Sequence, residues 1–138
     1  MTVVYLISCT KAKLNCKCEA EKIYSASPLF KLSLQYAKNR ADKKNIFVLS
    51  AKFGLLPLDE VIEPYNQTLK DAARSVKKVW SRKVEAQLAK SFDLNGTRFV
   101  ILAGKDYWGE LNLPNMQLPL CGMPQGVRMQ WLKRNAKC

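Results

Sequence analysis

The chain has 138 residues, a length that supports one hydrophobic core and is short for two. With 48% hydrophobic and 25% charged residues it has the balance of a soluble globular domain, and no apolar run approaches the ~20 residues that a membrane span requires. Lys and Arg number 23 against 11 Asp and Glu, a formal net charge of +12; such a surplus concentrates polyanions, so nucleic acid or a substrate derived from it is the expected partner, with solubility alone as the plain alternative.

The opening residues carry neither the basic region nor the small-residue cleavage site of a secretory signal, so a cytoplasmic location is expected. Val3 to Ile7 is an uninterrupted, β-branched-rich apolar run, the pattern of a strand covered on both faces. It ends in Ser8-Cys9-Thr10-Lys11-Ala12-Lys13. Lys13, four residues after Cys9, would lower the thiol pKa and make it nucleophilic; the alternative is a Cys9 that packs as a small apolar group while the lysines face solvent. The cysteines Cys9, Cys16, Cys18, Cys121 and Cys138 are odd in number and lack secretory context, which argues against a disulfide framework. Cys16-Lys-Cys18 hints at zinc, but the spacing is wrong for a structural site and the chain has no histidine, so neither metal nor cofactor is expected. Without histidine, proton transfer falls to carboxylate, Lys, Tyr, Cys or water.

Ser27-Pro28 predicts a helix start, with Leu29, Leu32, Tyr36 and Ala37 sharing a face to about Ala41. Ile46 to Leu49 reads as a second buried strand, ending in Ser50-Ala51-Lys52-Phe53-Gly54. Asp59, Glu60 and Glu63 then cluster; a carboxylate over a cationic site activates water or stabilises a cationic transition state, and a solvated loop is the other reading. Tyr65 and Asn66 offer a stacking ring and an amide suited to gripping a base.

A second helix is predicted from Thr68, with Asp71 as a capping-box residue, to about Leu88. Leu69, Ala72, Ala73, Val76, Val79, Trp80 and Val84 form its apolar stripe. Its polar side carries Arg74, Lys77, Lys78, Arg82 and Lys83, either a solvated face or a set of phosphate contacts. Phe99 to Leu102 predicts a third strand, followed by Gly104-Lys105-Asp106-Tyr107-Trp108. There Gly104 admits a ligand close to the backbone, and an aromatic side chain stacks on a base or plugs the packing. Met116 to Leu120 predicts a short fourth strand, with Pro119 at an edge or end. Cys121-Gly122-Met123-Pro124-Gln125-Gly126 precedes a last helix over Val127 to Asn135, with Val127 and Trp131 inward and an N-terminus suited to a phosphate.

Alternating strands and helices predict one α/β domain, a three-layer sandwich around a central, mostly parallel sheet. Ligands of such sheets bind outside the carboxyl ends of the strands. The polar turns after the strands are therefore expected to converge there as one site.

The stretches ISCTKAK, YSASPLF, LSAKFGLL, EPYNQTL, LAGKDYW and LPLCGMPQGVRMQWL, in this order, resemble a family of small bacterial and phage proteins of uncharacterised-domain type. That family is similar in architecture to YaaA-like proteins and the archaeosine synthase core domain, and distantly to the uracil-DNA glycosylase fold. The resemblance covers nearly the whole chain and implies chemistry on a nucleobase, including N-glycosidic cleavage in phage defence. Amidotransferase-type members carry a Pro-Cys-x3-Lys stretch followed by Ser-x2-His. Cys9 and Lys13 match its first part, with Ser8 in place of the proline. Ser27 matches the serine, and Phe30 stands where the histidine would be. The water-activating Asp motif of glycosylases has a loose counterpart in Gly104-Lys105-Asp106-Tyr107.

The expectation is thus a DNA glycosylase that removes a modified base and needs no cofactor. Its catalytic candidates are Lys13, Lys52, Asp59, Asn66, Asp106 and Cys9. Ser8, Thr10, Ser27, Ser50, Tyr65, Gly104, Lys105, Tyr107, Gly122 and Gly126 are the candidates for substrate binding. Lys11, Arg74, Lys77, Lys78 and Arg82 are those for the nucleic-acid backbone. Tyr65, Asn66 or Tyr107 would hold the base, Asp59 or Asp106 would orient water, and Lys13 or Lys52 would offset charge on the departing base. Two other readings stand beside it: a non-catalytic DNA-binding protein of the YaaA kind, and a tRNA modified-base transferase using Cys9 and Lys13.

Overall fold

Strand β1 (Thr2–Ser8) buries Val4, Tyr5, Leu6 and Ile7 in succession. Because side chains alternate along a strand, such a run needs cover on both faces. In the computed structural model, which describes residues 2–135, that cover is helical. After β1 come a short β2 (Cys18–Glu19), the single-turn α1 (Ala20–Ile23) and α2 (Pro28–Lys38). Strands β3 (Ile46–Ser50), β4 (Gly54–Pro57) and β5 (Val61–Ile62) precede α3 (Arg74–Ala89) and β6 (Thr97–Leu102). A one-turn α4 (Lys105–Trp108), β7 (Met116–Gln117) and α5 (Gln125–Asn135) complete the order.

The main sheet has five strands in the order β4-β3-β1-β6-β7. β1 is parallel to both β3 and β6, β6 is parallel to β7, and only β4 runs antiparallel, against β3. β2 and β5 form a separate antiparallel pair. The predicted strands at Val3–Ile7, Ile46–Leu49 and Phe99–Leu102 are present and parallel. The fourth is shorter than expected: pairing stops at Gln117, ahead of Pro119, which has no N–H to give a ladder.

From β1 the chain moves through α2 to β3 on one side, then returns past β1 through α3 to β6 on the other. Two right-handed crossovers in opposite directions put α2 and α3 on opposite faces. Tyr5 meets Tyr36 of α2 with ring centroids 6.2 Å apart, and Tyr36 meets Trp131 of α5 at 5.2 Å, so α2 and α5 share one layer. The helices lie on both faces of the sheet, as in a three-layer sandwich.

α2 begins as predicted: Ser27 Oγ accepts the Phe30 N–H at 3.2 Å, and Pro28 follows. Its most buried face is Phe30, Ser33 and Ala37, whereas Leu29, Leu32 and Tyr36 are partly buried. α3 departs further from expectation. It starts at Arg74, not Thr68; residues 68–73 are loop, and Asp71 sits at φ +62°, outside any capping geometry. Val76 and Val79 are exposed, at 52% and 73%, and the buried stripe is Trp80, Ser81, Val84 and Leu88. In α5, Leu132 is the buried residue, Trp131 is half-buried, and Val127 faces out at 43%.

Gly54 turns β3 back into β4 at φ +76°, a conformation open to glycine. A Cβ there would also meet Gln87 Oε1 at 2.5 Å. Gln87 uses that position to accept the Leu55 N–H at 2.8 Å and to donate to the Phe53 carbonyl at 3.3 Å, so its amide covers the open edge of β4. Among the described residues, no helix is long and apolar enough to cross a membrane, and no three His, Cys, Asp or Glu side chains gather as a metal site. Cys16 and Cys18 belong to no such cluster, and Cys138 lies outside the described residues.

Candidate functional site

The strand order reverses beside β1, since β3 lies on one side of it and β6 on the other. Loops leaving the two adjacent carboxyl ends then diverge and leave a crevice between them. That crevice has a volume of about 410 Å³. The end of β1 lines it with Ser8, Cys9, Thr10 and Lys11, and α2 adds Ser27 and Leu29. Gln67, Thr68 and Lys70 come from the loop before α3, Gly104, Asp106 and Tyr107 follow β6, and Gln125 and Arg128 come from α5. A second hollow of about 440 Å³ shares Lys11, Gln67, Thr68 and Lys70 and adds Lys13, Asn66 and Asp71, so the two form one groove.

The groove is cationic. Lys11, Lys13, Lys70 and Arg128 outnumber its two carboxylates, Asp71 and Asp106, and Asp106 Oδ1 is already paired with Lys77 Nζ at 2.6 Å. Arg128 is held by its Nε–H, which donates to the Met123 carbonyl at 2.7 Å. Its guanidinium lies beside Gly104, where a Cβ would sit 3.7 Å from Nη1, an ordinary contact. Packing therefore leaves Gly104 replaceable, and the bare backbone keeps the crevice wide at the end of β6.

Cys9 is buried in the floor, with Sγ 3.3 Å from the Tyr107 hydroxyl. That hydroxyl also lies 3.5 Å from Thr68 Oγ1 and accepts the Leu69 N–H at 3.5 Å. Burial, reinforced by the Cys9 sulfur, pushes the Tyr107 hydroxyl up to about 12, so it stays protonated near neutrality. Its ring packs edge-on against Trp80 at 5.6 Å. Tyr107 is thus a packing ring that delivers a hydroxyl to the floor, not a platform on which a base stacks.

A second chain of hydroxyls runs beneath Lys13. Ser50 Oγ lies 2.8 Å from the Tyr65 hydroxyl, which lies 2.6 Å from that of Tyr24. Burial raises both tyrosines well above the usual range. The Tyr65 ring is edge-on to Tyr24 and Phe53, with centroids 6.5 and 5.7 Å away. Lys13 Nζ lies 4.5 Å from the Tyr65 centroid and Lys52 Nζ lies 6.0 Å from it. The face of Tyr65 expected to hold a base is therefore occupied by a lysine.

The groove gathers Ser8, Cys9, Thr10, Lys11, Lys13, Ser27, Asn66, Gly104, Asp106 and Tyr107 from the predicted set. Other candidates lie apart. Asp59 is exposed in the turn between β4 and β5, beside the β2–β5 pair, and lines neither hollow. Lys52 belongs to a separate hollow along β4 with Phe53, Leu55 and Gln87. Lys105, Gly122 and Gly126 line neither half of the groove. Ser50 is wholly buried, its oxygen already bonded.

The predicted phosphate-binding face of α3 is largely neutralised within the fold. Arg74 meets Glu110 at 3.4 Å, Lys77 meets Asp106, and Arg82 meets Glu85 at 3.0 Å and the Glu110 carbonyl. Lys78 and Lys83 remain exposed on that helix and make no ion pair among the described residues. The residues that sequence reasoning missed are Gln67, Thr68, Lys70, Gln125, Arg128 and Tyr24. Gln67 and Thr68 follow Asn66 in EPYNQTL and Lys70 comes just after that stretch; reading Thr68 as a helix start hid them.

No curated protein and no solved structure matches the chain. Over residues 4–134, a span that takes in every strand-end turn of the groove, the sequence is matched by one protein family, and on that match the chain belongs to a family of unknown function (DUF6884).

Proposed function

We propose that the protein is an enzyme acting on a base of DNA, a glycosylase that cleaves the N-glycosidic bond of a modified nucleotide. One observation carries the reading. At the strand-order reversal, hydroxyl and amide groups line a hollow of ligand size, and Lys11, Lys70 and Arg128 ring it. Cations suit the phosphates of a nucleotide, and the short polar groups suit a base swung out of the stack. The kinship to YaaA-like proteins, the archaeosine synthase core and the uracil-DNA glycosylase fold belongs to this proposal, and the motif order supports it.

In this scheme Lys11, Lys70 and Arg128 hold the phosphates flanking the target. Asp106, the groove carboxylate held by Lys77, orients a water toward C1′. The C1′–N bond breaks as a C1′–O bond forms, the water passes a proton to the Asp106 carboxylate, and the base leaves with its negative charge offset by the surrounding cations. Asp59 has no part, since it lies outside the groove.

The test is incubation of the pure protein with DNA bearing varied modified bases, followed by an assay for abasic sites. Asp106→Asn is expected to slow their formation about 10²–10⁴-fold while thermal melting stays near wild type, and full activity in that variant would remove Asp106 from the mechanism. Tight binding with no abasic site on any substrate would instead establish the binding-only reading. Activity on modified tRNA that disappears in Cys9→Ala would establish the transferase.

A further inference from the structure

Lys13 stands apart from the other groove cations. Its side chain is half-buried, and among the described residues it makes no ion pair. Among those residues its one hydrogen bond is a long 3.4 Å donation to the Lys11 carbonyl. The surfaces it meets are aromatic faces, Tyr65 at 4.5 Å and Tyr24 at 5.9 Å. Both hydroxyls turn away, toward each other and Ser50, so the rings offer the ammonium no oxygen. Water is thus displaced without a counter-charge replacing it. Loss of hydration holds the Lys13 ammonium below the usual lysine range, with the Cys9 sulfur opposing in part. Lys77, by contrast, has its carboxylate at 2.6 Å.

We propose that Lys13 is an imine-forming amine whose partner is an aldehyde, the ring-opened C1′ of an abasic deoxyribose in DNA. The proposal rests on the DNA reading of the groove and extends it to the step after base loss. Lys13 lines the hollow joined to the crevice through Lys11, Gln67, Thr68 and Lys70, so a sugar there has the amine within the same groove. The neutral amine attacks the C1′ carbonyl carbon and an N–C bond forms. The carbonyl oxygen takes up the two amine protons and leaves as water, giving the imine. A lysine shielded by apolar surface and lacking an acid partner supplies the neutral amine that this step needs.

The test uses a preformed abasic site in a duplex oligonucleotide, with cyanoborohydride present to reduce the imine to a stable secondary amine. Expected is a covalent protein–DNA product that proteolysis and mass spectrometry map to Lys13. Lys13→Arg, which keeps the charge over Tyr65, should lower its yield at least tenfold, whereas Lys44→Arg on the surface should not. Mapping on the wild-type protein decides the question even if the Arg variant folds poorly. No adduct, an adduct scattered over exposed lysines, or full yield from a folded Lys13→Arg variant overturns the proposal. Because the aldehyde is supplied ready-made, trapping at Lys13 without base excision would overturn the glycosylase and keep the amine; excision without trapping would do the reverse.

Discussion

Ser50 shows how one hydroxyl can organise a site that it does not enter. Its Oγ accepts the N–H groups of Lys52 and Phe53 at 3.2 and 3.1 Å and also contacts the Tyr65 hydroxyl. Its carbonyl receives the Trp80 indole N–H at 2.8 Å. The side chain thereby shapes the turn after β3 and orients Tyr65, over which Lys13 rests. Removing the oxygen leaves two backbone donors and a buried phenol short of a partner. Ser50→Ala is expected to cost about 1–3 kcal/mol, the penalty of orphaned buried polar groups. It should appear as a lower denaturation midpoint at unchanged slope. A variant as stable as wild type would mean that water replaces the hydroxyl and that the turn does not depend on it.

At the scale of the element, α3 is where pattern and packing part company. Leu69, Val76, Val79 and Trp80 fit a helical period, yet the rows that meet the sheet are Trp80, Val84 and Leu88, four residues apart. Apolar periodicity marks a helix, but the sheet decides which face it uses, and valines left outside carry no mark of it. Leu69 is buried from a loop, its N–H on the Tyr107 hydroxyl, so burial there needs no helix. Val79→Lys should therefore change stability by less than about 0.5 kcal/mol, while Leu88→Ala should cost about 2–5 kcal/mol. Equal losses in chemical denaturation would restore the helix face read from periodicity.

The strands were easier to read, because a strand buried on both faces is a continuous apolar run and says so by itself. β4 was not, since Gly54-Leu55-Leu56-Pro57 is short and borrows its edge cover from Gln87, 32 residues away. The site divides the same way. Cys9, Lys13 and Gly104 follow strand ends and were legible, whereas Arg128 enters from within α5, held by its bond to the Met123 carbonyl beside Gly104.

Over the whole molecule, ion pairs occupy only part of the cations behind the net charge of +12. Arg74, Lys77 and Arg82 spend their charge on Glu110, Asp106 and Glu85, and Lys22, Lys38 and Lys43 on Glu19 and Glu21. Among the described cations that make no such pair, Lys11, Lys13, Lys70 and Arg128 lie along the groove, and others, including Lys78 and Lys83 of α3, lie elsewhere. On the proposed reading, a polyanion bound at the groove would meet these four together, whereas α3 offers Lys78 and Lys83. Binding of duplex DNA should weaken as salt rises, each neutralised phosphate contributing about 0.9 to the slope of log K against log salt. Lys70→Ala should make that slope shallower by about one. Arg74→Ala should leave it nearly unchanged, because its carboxylate partner already screens it. If Arg74 carries the slope and Lys70 does not, DNA lies along α3 and the groove takes something smaller; a slope near zero for the wild-type protein would point to a free nucleotide or sugar as its ligand.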